Sequence, residues 1–189
     1  MIRFIALSLA LVLTAGPVAA QIGDGAPPAD PAARDAVVEY GGPETVVIET
    51  DEGPVSFTVE IAATEPARQR GLMWREELAP DAGMLFDFAT VRPVSIWMRN
   101  TLIPLDIIYI RQDGTIAKII AHAQPLSERQ LLSGVPVRSV LEINAGRAAE
   151  LGIEPGDLVR HAWFGTAQAP AGPDAADAGT DGEAQPQEG

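Results

Sequence analysis

Between Trp97 and Asp106 the chain brings together side chains that could hold a small polar molecule. Trp97 offers an aromatic plate, Arg99 a cation, Asn100 an amide, Thr101 a hydroxyl and Asp106 a carboxylate. Stacking on the indole with hydrogen bonds from the other four would be the chemistry of a ligand site. The same residues have a plainer use: Asp106 pairs with Arg99, Asn100 and Thr101 satisfy a tight turn, and Trp97 is core. Both uses place the residues in contact, so only an open cleft beside them separates the two.

Other chemistry is less well provided for. Acid–base catalysis needs paired carboxylates or a tuned histidine, and the candidates are Asp106, Glu142, Asp87 and His122. If the protein is a hydrolase of envelope glycans, Asp106 and Glu142 from different strands would be the pair. Alternation in Val140-Leu141-Glu142-Ile143 instead reads Glu142 as an outward-facing strand residue. No Gly-x-Ser-x-Gly elbow is present. The two histidines, His122 and His161, lack metal-ligand spacing, and the chain has no cysteine. A Cu(I) site of Met73, Met84 and Met98 with His122 is conceivable on thioether chemistry, although all three methionines sit in apolar, core-like stretches. No resident metal or cofactor is expected, and no glycine-rich phosphate loop is present.

The elements that must position these residues are short strands. Val46-Val47-Ile48 and the alternating Val55, Phe57, Val59, Ile61 flank Asp51-Glu52-Gly53-Pro54 and predict a hairpin. Thr64 is a helix N-cap with Glu65 and Pro66 in the first turn, and Gly71 ends that helix after about Arg70. Strands are expected at 83–88, 94–99, 105–111 and 115–121, the last two joined through Asp113-Gly114. Further strands are expected at 137–143 and 158–164, with a short helix between them at 145–151. About eight strands with one or two short helices predict a mainly β, single compact sandwich or barrel rather than βαβ units.

The ends have a different composition. Arg3, the apolar run Ile5 to Ala15, Pro17 and the small residues Val18-Ala19-Ala20 form a signal-peptide pattern, its apolar stretch being shorter than the roughly 20 residues of a membrane span. Residues 1–20 are therefore expected to be cleaved near Ala20, sending the protein to the periplasm or the medium, with no segment left to span a bilayer. Residues 21–43 are rich in Ala, Pro, Gly and Asp, and residues 166–189 are acidic and lack branched aliphatic and aromatic side chains. Both are expected to be disordered, leaving one domain at 44–165. Without cysteine that domain must be held by burial alone. A net charge of −13 would repel phosphate backbones, so nucleic acid is not an expected partner.

Gly71-Leu72-Met73, Gly83-Met84-Leu85-Phe86, Trp97-Met98-Arg99-Asn100-Thr101, Pro104-Leu105-Asp106-Ile107 and Val140-Leu141-Glu142 occur in this order. Together they resemble the bacterial and archaeal family known as domain of unknown function 192, over about residues 45–163. Where that family usually has Lys in the Trp-Met-Lys-Asn-Thr stretch, this chain has Arg99, which keeps the charge and changes the donor geometry. The resemblance implies a jelly-roll type of β fold and transfers no activity. The function expected from the residues is a non-enzymatic exported binding or accessory module for a small polar ligand or a cell-envelope protein. A glycan hydrolase, a Cu(I)-binding protein and a purely structural interaction protein are the alternatives.

Overall fold

Strand pairing, more than local propensity, sets the element boundaries in the computed structural model, which describes residues 30–167. Strands β1 (Gly41–Thr50) and β2 (Gly53–Ala62) form the expected antiparallel hairpin about Asp51 and Glu52. Helix α1 (Glu65–Arg70) begins at Thr64, whose hydroxyl accepts from the Ala67 amide. Strand β3 (Ala82–Ile96) is followed by β4 (Leu105–Ile110), β5 (Ile116–Ala123) and β6 (Leu131–Asn144). A four-residue helix α2 (Arg147–Glu150), strand β7 (Leu158–Arg160) and a 3-10 turn (Ala162–Phe164) complete the described chain.

The seven strands make one sheet in the order β5-β4-β6-β3-β2-β1-β7. Its two edges meet. Thr115 bridges Leu158, the Val159 amide donates to Gly114 O at 2.8 Å, and the Ile116 amide to Asp157 O at 2.9 Å. The sheet therefore curls toward a barrel, as the sequence pattern implies. Gly114 makes this closure possible: its φ is +85°, and a Cβ there would lie 2.6 Å from Val159 O.

Seven strands appear where about eight are expected, because residues 83–88 and 94–96 belong to one strand, β3, which ends at Ile96 so that 97–99 leave the sheet. Its pairing with β6 runs through an irregularity between Asp87 and Arg92, then resumes with Arg92 opposite Val137 and Pro93 opposite Pro136. A bulged residue, Ala89, at φ 58° marks the bend. The sheet also holds one parallel pair, β2 with β3, whose crossover carries α1. The strand expected at 158–164 stops at Arg160. There His161 turns to accept the Trp163 amide on its ring and starts the 3-10 turn.

Both faces of the sheet are covered. One apolar cluster includes Val46, Ile48, Phe57, Val59, Ile108, Ile110, Leu141, Ile143 and Val159. The other, beneath α1 and the loops around it, includes Leu72, Met84, Phe86, Met98, Ile107, Tyr109 and Val140. Central strand β4 is buried at every position, and a strand buried on both faces does not show period-two hydropathy.

Of the expected leader 21–43, residues 21–29 lie outside the described residues. From Asp30 the backbone crosses the molecule and is held by side chains. Trp74 Nε1 donates to Ala32 O at 2.9 Å, the Arg70 guanidinium donates to the carbonyls of Pro31 and Ala33, and Tyr40 Oη donates to Gly71 O. β1 then starts at Gly41. The signal-like residues 1–20 and the tail beyond Ala167 lie outside the described residues. Among the described residues no helix is long and apolar enough to cross a membrane.

Candidate ligand-binding cleft

A cleft of ≈ 250 Å³ opens between α1, the loop after it, β3 and β6. Its first wall is α1. Arg68 fixes that helix to β3 by donating to Asp87 O at 2.8 Å; it also donates to Ala63 O, just before the helix, at 2.5 Å and pairs with Glu65 at 2.9 Å. The chain then turns at Gly71, φ +48°, where a Cβ would lie 3.1 Å from Phe86 Cζ. Glycine thus lets the backbone pass directly over the Phe86 ring. Phe86 and Phe88 stack at 6.4 Å, and Arg92 sits 5.2 Å over Phe88. Trp97 and Thr101 close the far side.

At the floor is Glu142. It stands on β6 between Met84 of β3 and Ile107 of β4, and only 5% of it is exposed. Among the described residues no donor reaches its carboxyl. Burial pushes its pKa up to about 8, so the group is largely uncharged at neutral pH. The expected outward-facing Glu142 is thus corrected: the outer face of β6 is roofed by α1 and the loops, and alternation placed the side chain under that roof. Tyr109, the adjacent aromatic, is also pushed up, first by burial and then by the charge of Glu142, and its hydroxyl donates to Leu131 O at 2.6 Å.

The five expected ligand residues separate into different roles. Trp97, 48% exposed, and Thr101, buried, line the cleft. Arg99 sits over the Trp97 ring at 5.6 Å. Asn100 adopts φ 58° and turns away toward the leader, its amide donating to Ala32 O at 3.4 Å and facing Met73 Sδ at 3.8 Å. Asp106 does not pair with Arg99. It is fully buried and accepts from the His122 amide at 2.9 Å and the Ala148 amide at 3.0 Å.

Strand geometry also separates the two carboxylates expected to cooperate in hydrolysis. Asp106 alternates with Ile107 and pairs across with Ile143, so it shares the face of Ile108 and Ile110. Glu142 pairs with Ile107 and shares the face of Tyr109 and Val140. Asp106 and Glu142 lie on opposite faces of the sheet and form no catalytic pair.

The four residues of the copper alternative are distributed likewise. Met84 and Met98 are packed in the apolar cluster, Met73 is buried against Asn100, and exposed His122 lies beside Gly146 at the start of α2. Among the described residues no group of three or more His, Cys, Asp or Glu side chains is arranged to hold a metal.

Sequence reasoning did not single out Arg68, Phe88 or Arg92 as cleft residues. The crossover that brings α1 over β3 juxtaposes them, and no local spacing signals it. Glu142 did carry a signal. One acid inside an otherwise apolar run fits a strand buried on both faces as well as a half-exposed one.

Two solved structures are similar to this chain. A protein from Sinorhizobium meliloti 1021, described as a "putative transcription regulator", is 46% identical with a TM-score of 0.65, covering 68% of this chain and 99% of that one. A protein of unknown function from Novosphingobium aromaticivorans DSM 12444 is 42% identical with a TM-score of 0.61, covering 62% of this chain and 84% of that one. No curated protein matches the chain. The sequence pattern of the uncharacterized ACR family, domain of unknown function 192, matches residues 46–161, and with these relatives it establishes that the chain belongs to that family.

Proposed function

We propose that the protein is an exported, non-enzymatic module that binds a small polar ligand in the cleft over Glu142. One observation carries this reading: a buried carboxyl with no protein donor faces an open cleft. Its oxygens are open to the cleft, so a ligand seated there supplies the hydrogen-bond partner that the fold does not. Trp97 and Thr101 from the Trp97–Thr101 motif, with Gly71 and Met73 from the Gly71–Met73 motif, contribute to the same cleft. Export rests on the signal-like pattern of residues 1–20. A nucleic-acid partner, which the description of the Sinorhizobium meliloti protein raises, is disfavoured by the net charge of −13.

A thermal-shift screen of the chain from Gln21 to Gly189 against sugars, organic acids, amines, nucleotides and muropeptides tests the reading. A ligand at about 100 times its Kd adds roughly 2.7 kcal/mol of stability, a shift of several degrees. Gln69 is exposed on α1 at the cleft wall, so Gln69→Trp should cover the cleft without disturbing the core. Shifts lost in Gln69→Trp support the cleft. A flat panel, or shifts that survive the substitution, counts against it.

A further inference from the structure

The walls of the cleft narrow the class of ligand, an inference that rests on the binding reading above. In a chain with a net charge of −13 the mouth of this cleft is locally positive. Arg68 pairs with Glu65 at 2.9 Å, while Arg92 is exposed, makes no ion pair among the described residues and acts on Glu65 only through its charge. Arg70, also in the wall, spends its donors on backbone carbonyls of the leader rather than on an acid. Guanidinium groups in these positions disfavour a cation and attract an anion.

The floor adds a second requirement. A protonated carboxyl offers one donor and one acceptor, the complement of a hydroxyl group, and it does not repel an anion. Burial holds Glu142 in that uncharged form near neutral pH. The exposed Trp97 indole supplies a flat surface of the kind on which the C–H face of a ring stacks. The volume, ≈ 250 Å³, falls below the roughly 300–1,000 Å³ of sites for drug-sized ligands. It suits one substituted ring. A fatty chain would leave Glu142 without a partner.

We propose that the cleft binds a small hydroxylated ring acid of the sugar-acid class, its carboxylate at Arg92, its ring against Trp97 and its hydroxyls at Glu142. Such an acid could be free or the terminal residue of a glycan.

Calorimetric titration of the chain from Gln21 to Gly189 with glucuronate and galacturonate, and with glucose and glucosamine as neutral and cationic comparators, tests the assignment. At least one acid should bind ten-fold or more tighter than glucose and weaken with added salt. Arg92→Gln should bring the acid down to the affinity of the neutral sugar. Arg92 makes no ion pair or hydrogen bond on which the fold depends, and a melting curve checks that the variant folds. Disaccharides ending in the same acid distinguish a glycan end, which would bind as tightly as the free acid, from a free acid, which alone would bind; either result upholds the assignment. Equal or tighter binding of glucose or glucosamine overturns it, as does acid binding indifferent to Arg92→Gln. If other small molecules bind and are displaced by Gln69→Trp while the acids do not bind, this inference falls and the binding module stands. If nothing binds in the cleft, both fall.

Discussion

Asp106 and Glu142 occupy neighbouring strands, are both buried, and have opposite surroundings. Asp106 receives the His122 and Ala148 amides, one from the bulged end of β5 and one from α2. It ties three elements together and leaves nothing for a ligand. Glu142, one position along the paired strand and on the other face, receives no protein donor and opens on the cleft. The difference shows that a buried acid is judged by its partners rather than by its burial. One is a fastening of the fold, and the other is a group kept uncharged and waiting for a partner.

The largest effect should come from removing the fastening. Asp106→Ala strands two buried amides and leaves a cavity, and a loss of about 3–5 kcal/mol is expected in urea unfolding. Asp106→Asn keeps the shape but sets an amide donor against one of the backbone N–H groups, and should lose about 2–3 kcal/mol. A neutral outcome for both would mean that the two acids are alike.

Glu142 should respond in the reverse sense. Its folded pKa, about 8, is above the unfolded value, so the folded state holds the proton more tightly. The stability this confers is fully present below the unfolded pKa and is lost as the pH rises toward and through about 8. Integrated over that window the loss is at most about 5 kcal/mol. Glu142→Gln removes the titration. The variant should therefore be more stable than wild type at pH 8.5, and the difference should shrink toward zero at pH 4.5. Tyr109, the other acid on this face, titrates above this window, and the guanidinium groups of Arg68 and Arg92 stay charged across it. A wild-type stability curve flat from pH 5 to 8 would remove the contrast with Asp106.

Gly71→Ala acts on the cleft side alone. The new Cβ meets the Phe86 ring at 3.1 Å and the backbone must hold φ +48°, costing about 1–2 kcal/mol in chemical denaturation. The smallest effect should be at Arg99. It is exposed, sits over the Trp97 ring and makes no ion pair or side-chain hydrogen bond among the described residues, so Arg99→Gln should change stability by about 0.5 kcal/mol or less. A larger loss would return Arg99 to the structural role that pairing with Asp106 would have given it.

The hairpin turns at Gly53 and Gly114 and the Thr64 cap were legible in the sequence because each is decided within a few residues. The eighth strand was not. A break between 83–88 and 94–99 is a fair local reading, and only pairing with β6 carries β3 through Ala89. The site was legible in part. The motif from Trp97 to Thr101 does reach the cleft through Trp97 and Thr101, while Asn100 turns to the leader and Asp106 to the other face. Spacing along a chain cannot tell these apart, since neighbours at strand ends and in left-handed turns diverge.

By itself the sequence determined the β-rich class, the hairpins, the caps and the family, because turn chemistry, alternation and ordered motifs are properties of neighbouring residues. Tertiary structure alone decided which face each acid would occupy, and that α1 would roof β3 and β6. It therefore decided that Glu142 would be buried and uncharged at the floor of a cleft whose lining also includes Arg92. Desolvation and pairing depend on what packs across the sheet, and those partners are tens of residues away along the chain.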